Sequence, residues 1–407
     1  MDVKKWVKHR TIFLMLDANK AYYELKQGMI TPLMCFPLRL YMPWYRYHWN
    51  PIWIHRLITE VCVQIFDTAE IQLFRKMLMD DRKFFSKMWD TTLNSNKKIT
   101  HYCALAALSC LVDENEENWR IFSKLEKCFH GMVNDGAYRE GTHYAIFVVE
   151  EVKKIIPMLF NRHGNRIYNT QLFVDIKNVE QWLNNVSSNN IITPIGDGWP
   201  EKVNILHKKY AAIPEKIEYQ DMTIYANKDW KVIEHHRQTG FTLHEHAELN
   251  GIQAAYKGKW ILPGDGMPSY SLKWNKPFDW YRPRNHWITE HWLDLPFLWR
   301  FRKDLPRRKI QFIAENLHIF DSGINTIRLP ASENIDYDRR KNYENISWIN
   351  KDFIVEVNGA IYGIKKCKSY ITTAYKKQKQ VSVVIITGKN LHTKFIPLID
   401  FNKTMEK

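Results

Sequence analysis

From about residue 10 to residue 185, apolar positions recur every three or four residues, the spacing of one face of an α-helix. The stretches "WIHRLITEVCVQIFDTAEIQLFRKMLMDDRKFFSKMW" (53–89) and "HYCALAALSCLVDENEENWRIFSKLEKCFHGMV" (101–133) carry it most clearly. Breaks fall at "MPWYRYHWNP" (42–51), "TTLNSNKK" (91–98) and "VNDG" (133–136), all rich in turn-forming residues. Successive helix pairs joined by short loops predict an α/α array or toroid. From about residue 220 the period changes. "MTIYAN", "WKVIEHH", "GIQAAYKGKWILP", "IQFIAENLHIF", "FIVEVNGAIYGI" and "VSVVIIT" are short β-rich runs between Gly, Asn, Asp and Lys turns. The turn-rich "NVSSNNIITPIGDGWPEK" (185–202) reads as a linker. Helices first and strands second predict two stacked domains rather than a βαβ fold. The boundaries expected are a helical domain over 1–190, a linker over 191–218 and an antiparallel sheet domain over 219–407. No internal repeat stands out.

Composition narrows the class. The chain has 407 residues, 45% of them hydrophobic, enough for a large core and two domains. No apolar run reaches the roughly 18–20 residues of a membrane span. The first twenty residues hold too short an apolar run for a secretory leader of roughly 7–15 residues, which predicts a cytoplasmic protein. The six cysteines, Cys35, Cys62, Cys103, Cys110, Cys128 and Cys367, have no C-x-x-C spacing. They read as small buried thiols in a reducing compartment and exclude a cysteine-ligated zinc site. A formal charge of +15 predicts attraction to polyanions, with basic knots at Arg307–Lys309 and Lys376–Lys379. Zinc-finger spacing and RNP-type strands are absent. Nucleic acid and an acidic polysaccharide are both candidates, and charge alone does not choose between them.

Four stretches could carry chemistry. In "GFTLHEHAELNG" (240–251), His244, His246 and Glu248 alternate, so a strand would project all three from one face. Such a row supplies metal ligands, a general base, or a polar face at a domain interface. "NDGAYREGTHYAIF" (134–147) packs Tyr138, Arg139, Glu140, His143 and Tyr144 into seven residues. It is either an acid/base cluster or the start of a helix with Tyr144 in the core. "WYRPRNHWITEHW" (280–292) is dense in Trp, Arg and His, which stack on sugar rings and pair with carboxylates; an aromatic interdomain patch has the same composition. "NSNKKITHYCALAAL" (94–108) brings Asn94, Asn96 and His101 to a helix start, with Asn as an ordinary cap. Walker loops, a strand-borne GxGxxG, G-x-S-x-G and HExxH are all missing, which leaves nucleotide-driven and serine-hydrolase chemistry without support.

Together these motifs resemble those of heparinase II/III-like polysaccharide lyases. "DGAYREGTHY" is similar to the family's Asp-Gly-x-x-x-Glu-x-x-x-Tyr signature, and "HEHAELNGIQAAYKGKWILPGDGMPSY" (244–270) to its His-x-His-x-Asp strand pair. "TPIGDGW" is similar to its interdomain Gly-Asp, and "GDGMPSY" to a motif of the related hyaluronate and chondroitin lyases. The resemblance runs from roughly residue 50 to 300. It implies an α+β multidomain fold, an incomplete (α/α) toroid followed by an antiparallel β-sandwich, with a cleft between them. It also implies β-elimination at a uronic acid. Tyr144 then matches the catalytic tyrosine, as acid and sometimes base. A phenol titrates near about 10, so a cation such as Arg139 would have to lower it for base duty.

The resemblance makes His244 a catalytic group and His101 a carboxylate neutraliser or second base. Arg139, Glu140, Asn96, Glu248, Trp280, Tyr281 and Arg284 become substrate-binding residues. His246, Asp265 and His286 match a structural zinc site, although the family's aspartate position is Gly264 here and Asp265 follows it. No cofactor is implied for the chemistry itself. Glu248 stands where the family has aspartate, and Thr100 where asparagine precedes the helical histidine. The function implied is a lyase acting on a uronic-acid-containing polysaccharide or oligosaccharide, linked to surface-polysaccharide metabolism. A uronyl C5-epimerase uses the same proton abstraction, and a non-catalytic polysaccharide-binding protein could use the same scaffold.

Overall fold

The computed structural model describes residues 18–41, 52–87, 95–196, 198–202, 215–236, 251–264, 307–331, 335, 343–374 and 377–398. They form two compact units. The first comprises residues 1–134 and 144–179, the second 135–143 and 180–407.

The helices are α1 (Ala18–Lys26), α2 (Ile52–Ile65), α3 (Glu70–Ser86), α4 (Asn96–Val112), α5 (Asn115–His130), α6 (Thr142–His163) and α7 (Gln171–Asn185). In the first unit α4 is central, because small and apolar residues surround it on every side. Ile99, Cys103, Ala106, Leu108 and Cys110 are all buried, and α2, α3 and α5 pack against it. Side-chain neighbours give the directions of four of these helices. His55 of α2 meets His101 of α4 near their starts, and Cys62 lies near Cys110 toward their ends. Cys103 lies near Glu151 of α6, and Arg162 donates to the Cys110 carbonyl. Hence α2, α4 and α6 run parallel. By contrast α5 runs back, since Asn118 in its first turns donates to the Ala106 carbonyl and Cys110 Sγ. Glu116 and Glu117 in its first turn and Lys127 and His130 in its last complement its dipole.

A buried polar cluster ties α1, α2 and α6. Arg56 donates to Glu151 (3.0 Å) and to the Tyr22 hydroxyl (3.0 Å), and Lys154 donates to both (2.6 and 3.1 Å). The Arg56 guanidinium lies over the Tyr22, Trp53 and Phe147 rings. Carboxylate, cations and rings thus pair with one another where a lone charge would be costly.

The second unit is built of antiparallel sheets. The strands are β1 (Val133–Asn134), β2 (Ala137–Tyr138), β3 (Ser187–Ser188), β4 (Ile191–Ile192), β5 (Glu201–Lys202), β6 (Lys216–Tyr219), β7 (Met222–Ala226) and β8 (Trp230–His235). They continue with β9 (Ile252–Tyr256), β10 (Lys259–Leu262), β11 (Arg308–Ile313), β12 (Asn316–Pro330), β13 (Tyr343–Asn350), β14 (Phe353–Ala374) and β15 (Lys377–Pro397). One five-stranded sheet has the order β10-β9-β8-β7-β6 and the other β11-β12-β15-β14-β13. They share one core, in which Trp230 and Tyr256 of the first meet Phe353 of the second at ring separations of 5.8 and 5.6 Å. The segment read as a linker forms a third sheet, β3-β4-β5, with Thr193 and Ile195 buried beside it.

That small sheet explains the alternation in "GIQAAYKG". Every residue of β9 is buried. Ile252, Ala254 and Tyr256 face the shared core, while Gln253 on the opposite face donates to the Pro194 carbonyl (2.9 Å). Trp260 of β10 donates to the Ile191 carbonyl (3.0 Å).

Trp230 anchors the shared core and donates its indole N–H to the Glu315 carbonyl (2.7 Å). Trp230→Ala is expected to lower the unfolding free energy of this unit by about 3–5 kcal/mol, read as a drop in the urea midpoint. Trp230→Phe retains most of the packing, loses the hydrogen bond, and should fall about 1–3 kcal/mol below the parent.

Candidate active site

In the helical unit the candidate residues gather at the start of α4. Ser95 caps the helix by accepting from the Lys98 N–H (3.4 Å), so the cap expected of asparagine falls to serine. Asn96 becomes the first helical residue and is buried, as are Thr100 and His101. Thr100 turns its hydroxyl onto the Lys97 carbonyl (3.0 Å). The ring of His101 is 3.2 Å from that of His55, Nδ1 to Nε2, with the rings edge to face. One nitrogen must donate and the other accept, so the pair shares a single hydrogen bond whose direction sets both tautomers.

These imidazoles are uncharged at neutral pH. His55 is 3% exposed and His101 1%. Burial pushes His55 well below the ordinary imidazole range, and His101 opposes its protonation further. Burial brings His101 down to about 4, with Lys124 adding to the effect. An uncharged imidazole accepts a proton or donates one N–H, but it does not neutralise a carboxylate by its own charge. The parallel course of α2, α4 and α6 carries their first turns to the same end of the array. Tyr144, the third residue of α6, therefore lies at the His101 end and is buried.

The second unit holds the residues immediately before Tyr144. Gly141 has φ +91°, and a Cβ there would overlap the Ile195 carbonyl oxygen. This close approach lets the Thr142 N–H donate to the Ile195 carbonyl (3.0 Å) while the Ile195 N–H donates to Thr142 Oγ1 (3.1 Å). The helix thus starts at Thr142, with the buried Glu140 and half-buried Arg139 ahead of it. One residue on, His143 pairs through Nδ1 with Glu201, and its ring lies 4.2 Å from that of Trp199. A carboxylate on one ring nitrogen fixes which nitrogen carries the proton and holds the ring in place.

His55 and the Glu201–Trp199 side of the His143 cluster were not among the residues singled out by sequence. His55 sits within a strongly periodic helix on its buried face, with Ile58, Thr59 and Cys62, so no local pattern marks it. Glu201 and Trp199 lie in the turn-rich segment, 58 residues from His143 in the case of Glu201, a separation no local pattern encodes.

His244, His246, Glu248, Asp265, Trp280, Tyr281, Arg284 and His286 lie outside the described residues. Gly264 is the last described position before Asp265. A Cβ there would overlap the Pro194 carbonyl oxygen, and its N–H donates to Thr193 Oγ1. No aspartate fits at 264. Among the described residues, no three His, Cys, Asp or Glu side chains gather as a metal site. Nor is any described helix long and apolar enough to cross a membrane. None of the six cysteines is in a disulfide: Cys35, Cys62, Cys103, Cys110 and Cys128 are buried and Cys367 is half-buried.

No family model matches the chain, and no curated protein does. Solved structures do. A heparinase III structure superposes with a TM-score of 0.65 at 10% identity, over 97% of this chain and 77% of that one. The heparan sulfate lyase HepC of Pedobacter heparinus gives 0.61 at 12% identity, over 97% and 75%. A further heparinase III structure gives 0.59 at 12% identity, over 87% and 68%. The chain has the fold of heparinase-type polysaccharide lyases.

The histidine pair should make stability depend on acid. His101 is held near 4 against an ordinary value of 6.5, and His55 is shifted the same way. Between these values the unfolded chain binds more protons than the folded one. Stability is therefore full above about 6.5 and falls as pH drops toward about 4, by up to ~1.4 kcal/mol per pH unit for each histidine. Urea midpoints measured across that window should slope accordingly, and the slope should flatten in His101→Gln.

Proposed function

From the fold shared with heparinase III, we propose that this chain is a lyase cleaving a uronic-acid-containing polysaccharide or oligosaccharide by β-elimination. We infer that its helices form an incomplete (α/α) toroid and that its role is in surface-polysaccharide metabolism. The observation that carries the reading is the uncharged His55–His101 pair at the end of the helical array where α6 begins with Tyr144. The excess of fifteen positive charges supports a polyanionic substrate.

The reaction removes the C5 proton of a uronate. The electron pair enters a new C4–C5 double bond, the bond from C4 to the linking oxygen breaks, and that oxygen takes up a proton. In this reading Tyr144 gives the leaving oxygen its proton, and Tyr144, His101 or His244 takes the one from C5. His101 enters uncharged, held in one tautomer by His55, so it serves as a base or donates an N–H to the substrate carboxylate. The positive charge that steadies the carboxylate as C5 loses its proton falls to arginine, with Arg139 and Arg284 as the candidates. Asn96, Glu140, Glu248, Trp280 and Tyr281 complete the proposed substrate-binding set.

The test is a panel of heparosan, hyaluronate, chondroitin, alginate and glucuronan, followed by the ultraviolet absorbance of the unsaturated product. A rise on one polymer is expected. Tyr144→Phe should lower its rate by at least about 100-fold, and His55→Phe, which leaves His101 without its partner, by about 10-fold or more. A flat trace on every polymer, with deuterium entering C5 from heavy water, would replace the lyase reading by an epimerase. No product and no exchange would leave only binding and overturn the catalytic reading.

A further inference from the structure

The outer face of the β11-β12-β15-β14-β13 sheet carries a second chemistry. Its inner face is apolar, with Ile310, Leu317, Ile319, Leu391, Phe395, Val355 and Val357 in the shared core. The alternate residues form two rows across the strands. One runs Lys309, Phe320, His392, Asn358 and the next Gln311, His318, Lys394, Glu356. Three rings stack within these rows. Phe320 and His392 lie 4.2 Å apart and 12° from parallel, and His318 lies 5.2 Å from His392 at 23°. His318 and His392 also share a hydrogen bond, Nδ1 to Nε2, of 3.0 Å. Burial holds His318 below the ordinary imidazole range, with His392 and Lys394 adding to it; burial and Lys394 do the same to His392. The ladder is therefore an uncharged flat surface at neutral pH.

Beside the ladder lies a depression of about 370 Å³, within the size range of small-ligand sites. Arg307, Lys309, Phe320, Ser322, Asn390 and His392 line it. Two hydrogen bonds tie the Arg307 backbone to Ser322: its N–H donates to Ser322 Oγ (3.2 Å), and the Ser322 N–H donates to its carbonyl (3.0 Å). Asn390 accepts from the Gly323 N–H (2.9 Å), which fixes its amide at the rim. The side chains of Arg308 and Asp321, which also border it, are buried and pair with each other at 2.8 Å, so they bring no net charge. Arg307 and Lys309 are exposed and have no ion-pair partner among the described residues. The depression thus combines two cations, an amide, a hydroxyl and a flat ring surface on a rigid sheet.

We propose that this depression is a second binding site, for a short stretch of acidic saccharide, built wholly from the second unit and separate in its residues from Tyr144 and His101. The Phe320 and His392 rings, backed by the buried His318, take the apolar face of a sugar, Arg307 and Lys309 take its carboxylate, and Asn390 and Ser322 meet its hydroxyls. A single-stranded nucleic acid would ask for a longer basic groove with several stacking rings in succession, whereas this site pairs one ring ladder with two exposed cations. The choice of ligand class rests on the function proposed above; the site itself rests on the geometry.

The test uses the full chain carrying Tyr144→Phe, so that nothing is turned over. Binding of fluorescent heparosan and of a thymidine oligonucleotide is measured with and without Arg307→Ala/Lys309→Ala, and separately with Phe320→Ala. Both cations are exposed, so the double variant should fold normally, as checked by circular dichroism. The double variant is expected to bind heparosan about tenfold more weakly. With Tyr144 present, the same two substitutions should leave turnover of short heparosan oligosaccharides unchanged. Unaltered heparosan binding in the double variant would overturn the proposal. Oligonucleotide binding that exceeds heparosan binding and depends on Arg307 and Lys309 would overturn it in favour of nucleic acid. If no polymer is cleaved but heparosan binding still depends on these residues, the lyase reading fails and the second site stands.

Discussion

Much of the second unit depends on one close approach, that of the Thr193–Ile195 backbone to three other parts of the chain. Ile195 exchanges hydrogen bonds with Thr142 at the start of α6, Pro194 accepts from Gln253 in the middle of β9, and Thr193 accepts from Gly264 after β10. Two of these contacts tolerate no side chain, because a Cβ at Gly141 or Gly264 would strike a carbonyl oxygen of the segment. Buried backbone groups must be paired, and here the pairing partners come from three distant stretches. The small residues of β9 belong to the same constraint, since its second face is covered rather than solvated. Where α6 begins, and hence where His143 and Tyr144 fall along it, follows from that contact.

Burial in the helical unit has an electrical consequence. An α4 that is apolar all round can sit at the centre of its unit, but the histidine it carries loses its water. Two neutral rings share one hydrogen bond where an imidazolium would be costly. The charged groups nearby solve the same problem by pairing, as Arg56, Lys154 and Glu151 do with Tyr22. The unit therefore offers an uncharged acceptor, while Arg56 and Lys154 are committed to Glu151.

The overall positive charge is spread differently in the second unit. Arg308 and Lys394 are spent on Asp321 and Glu356, while Arg307 and Lys309 project beside a neutral ring ladder. What matters for recognition is which cations lack a carboxylate nearby, and the formal charge of +15 does not say.

Local periodicity, which is a property of neighbouring residues, was enough to read the helices and strands. Spacings of three to four mark α2 to α5, and short β-rich runs mark β7 to β10 and the cores of β12, β14 and β15. The order of short motifs was likewise enough to reach a heparinase-type fold, because each motif is contiguous. The sequence alone also singled out Tyr144, His101 and Asn96, which proved to be buried where α4 and α6 begin. It did not single out His55, which meets His101 across 46 residues, nor pair His143 with Glu201 across 58. It read residues 185–202 as a linker, since two-residue strands are too short to show a period, and their pairing comes from contacts with β9 and β10. Side-chain chemistry and period are written into adjacent positions. Proximity, protonation and the demand for a bare glycine arise only when the chain folds back on itself and excludes water.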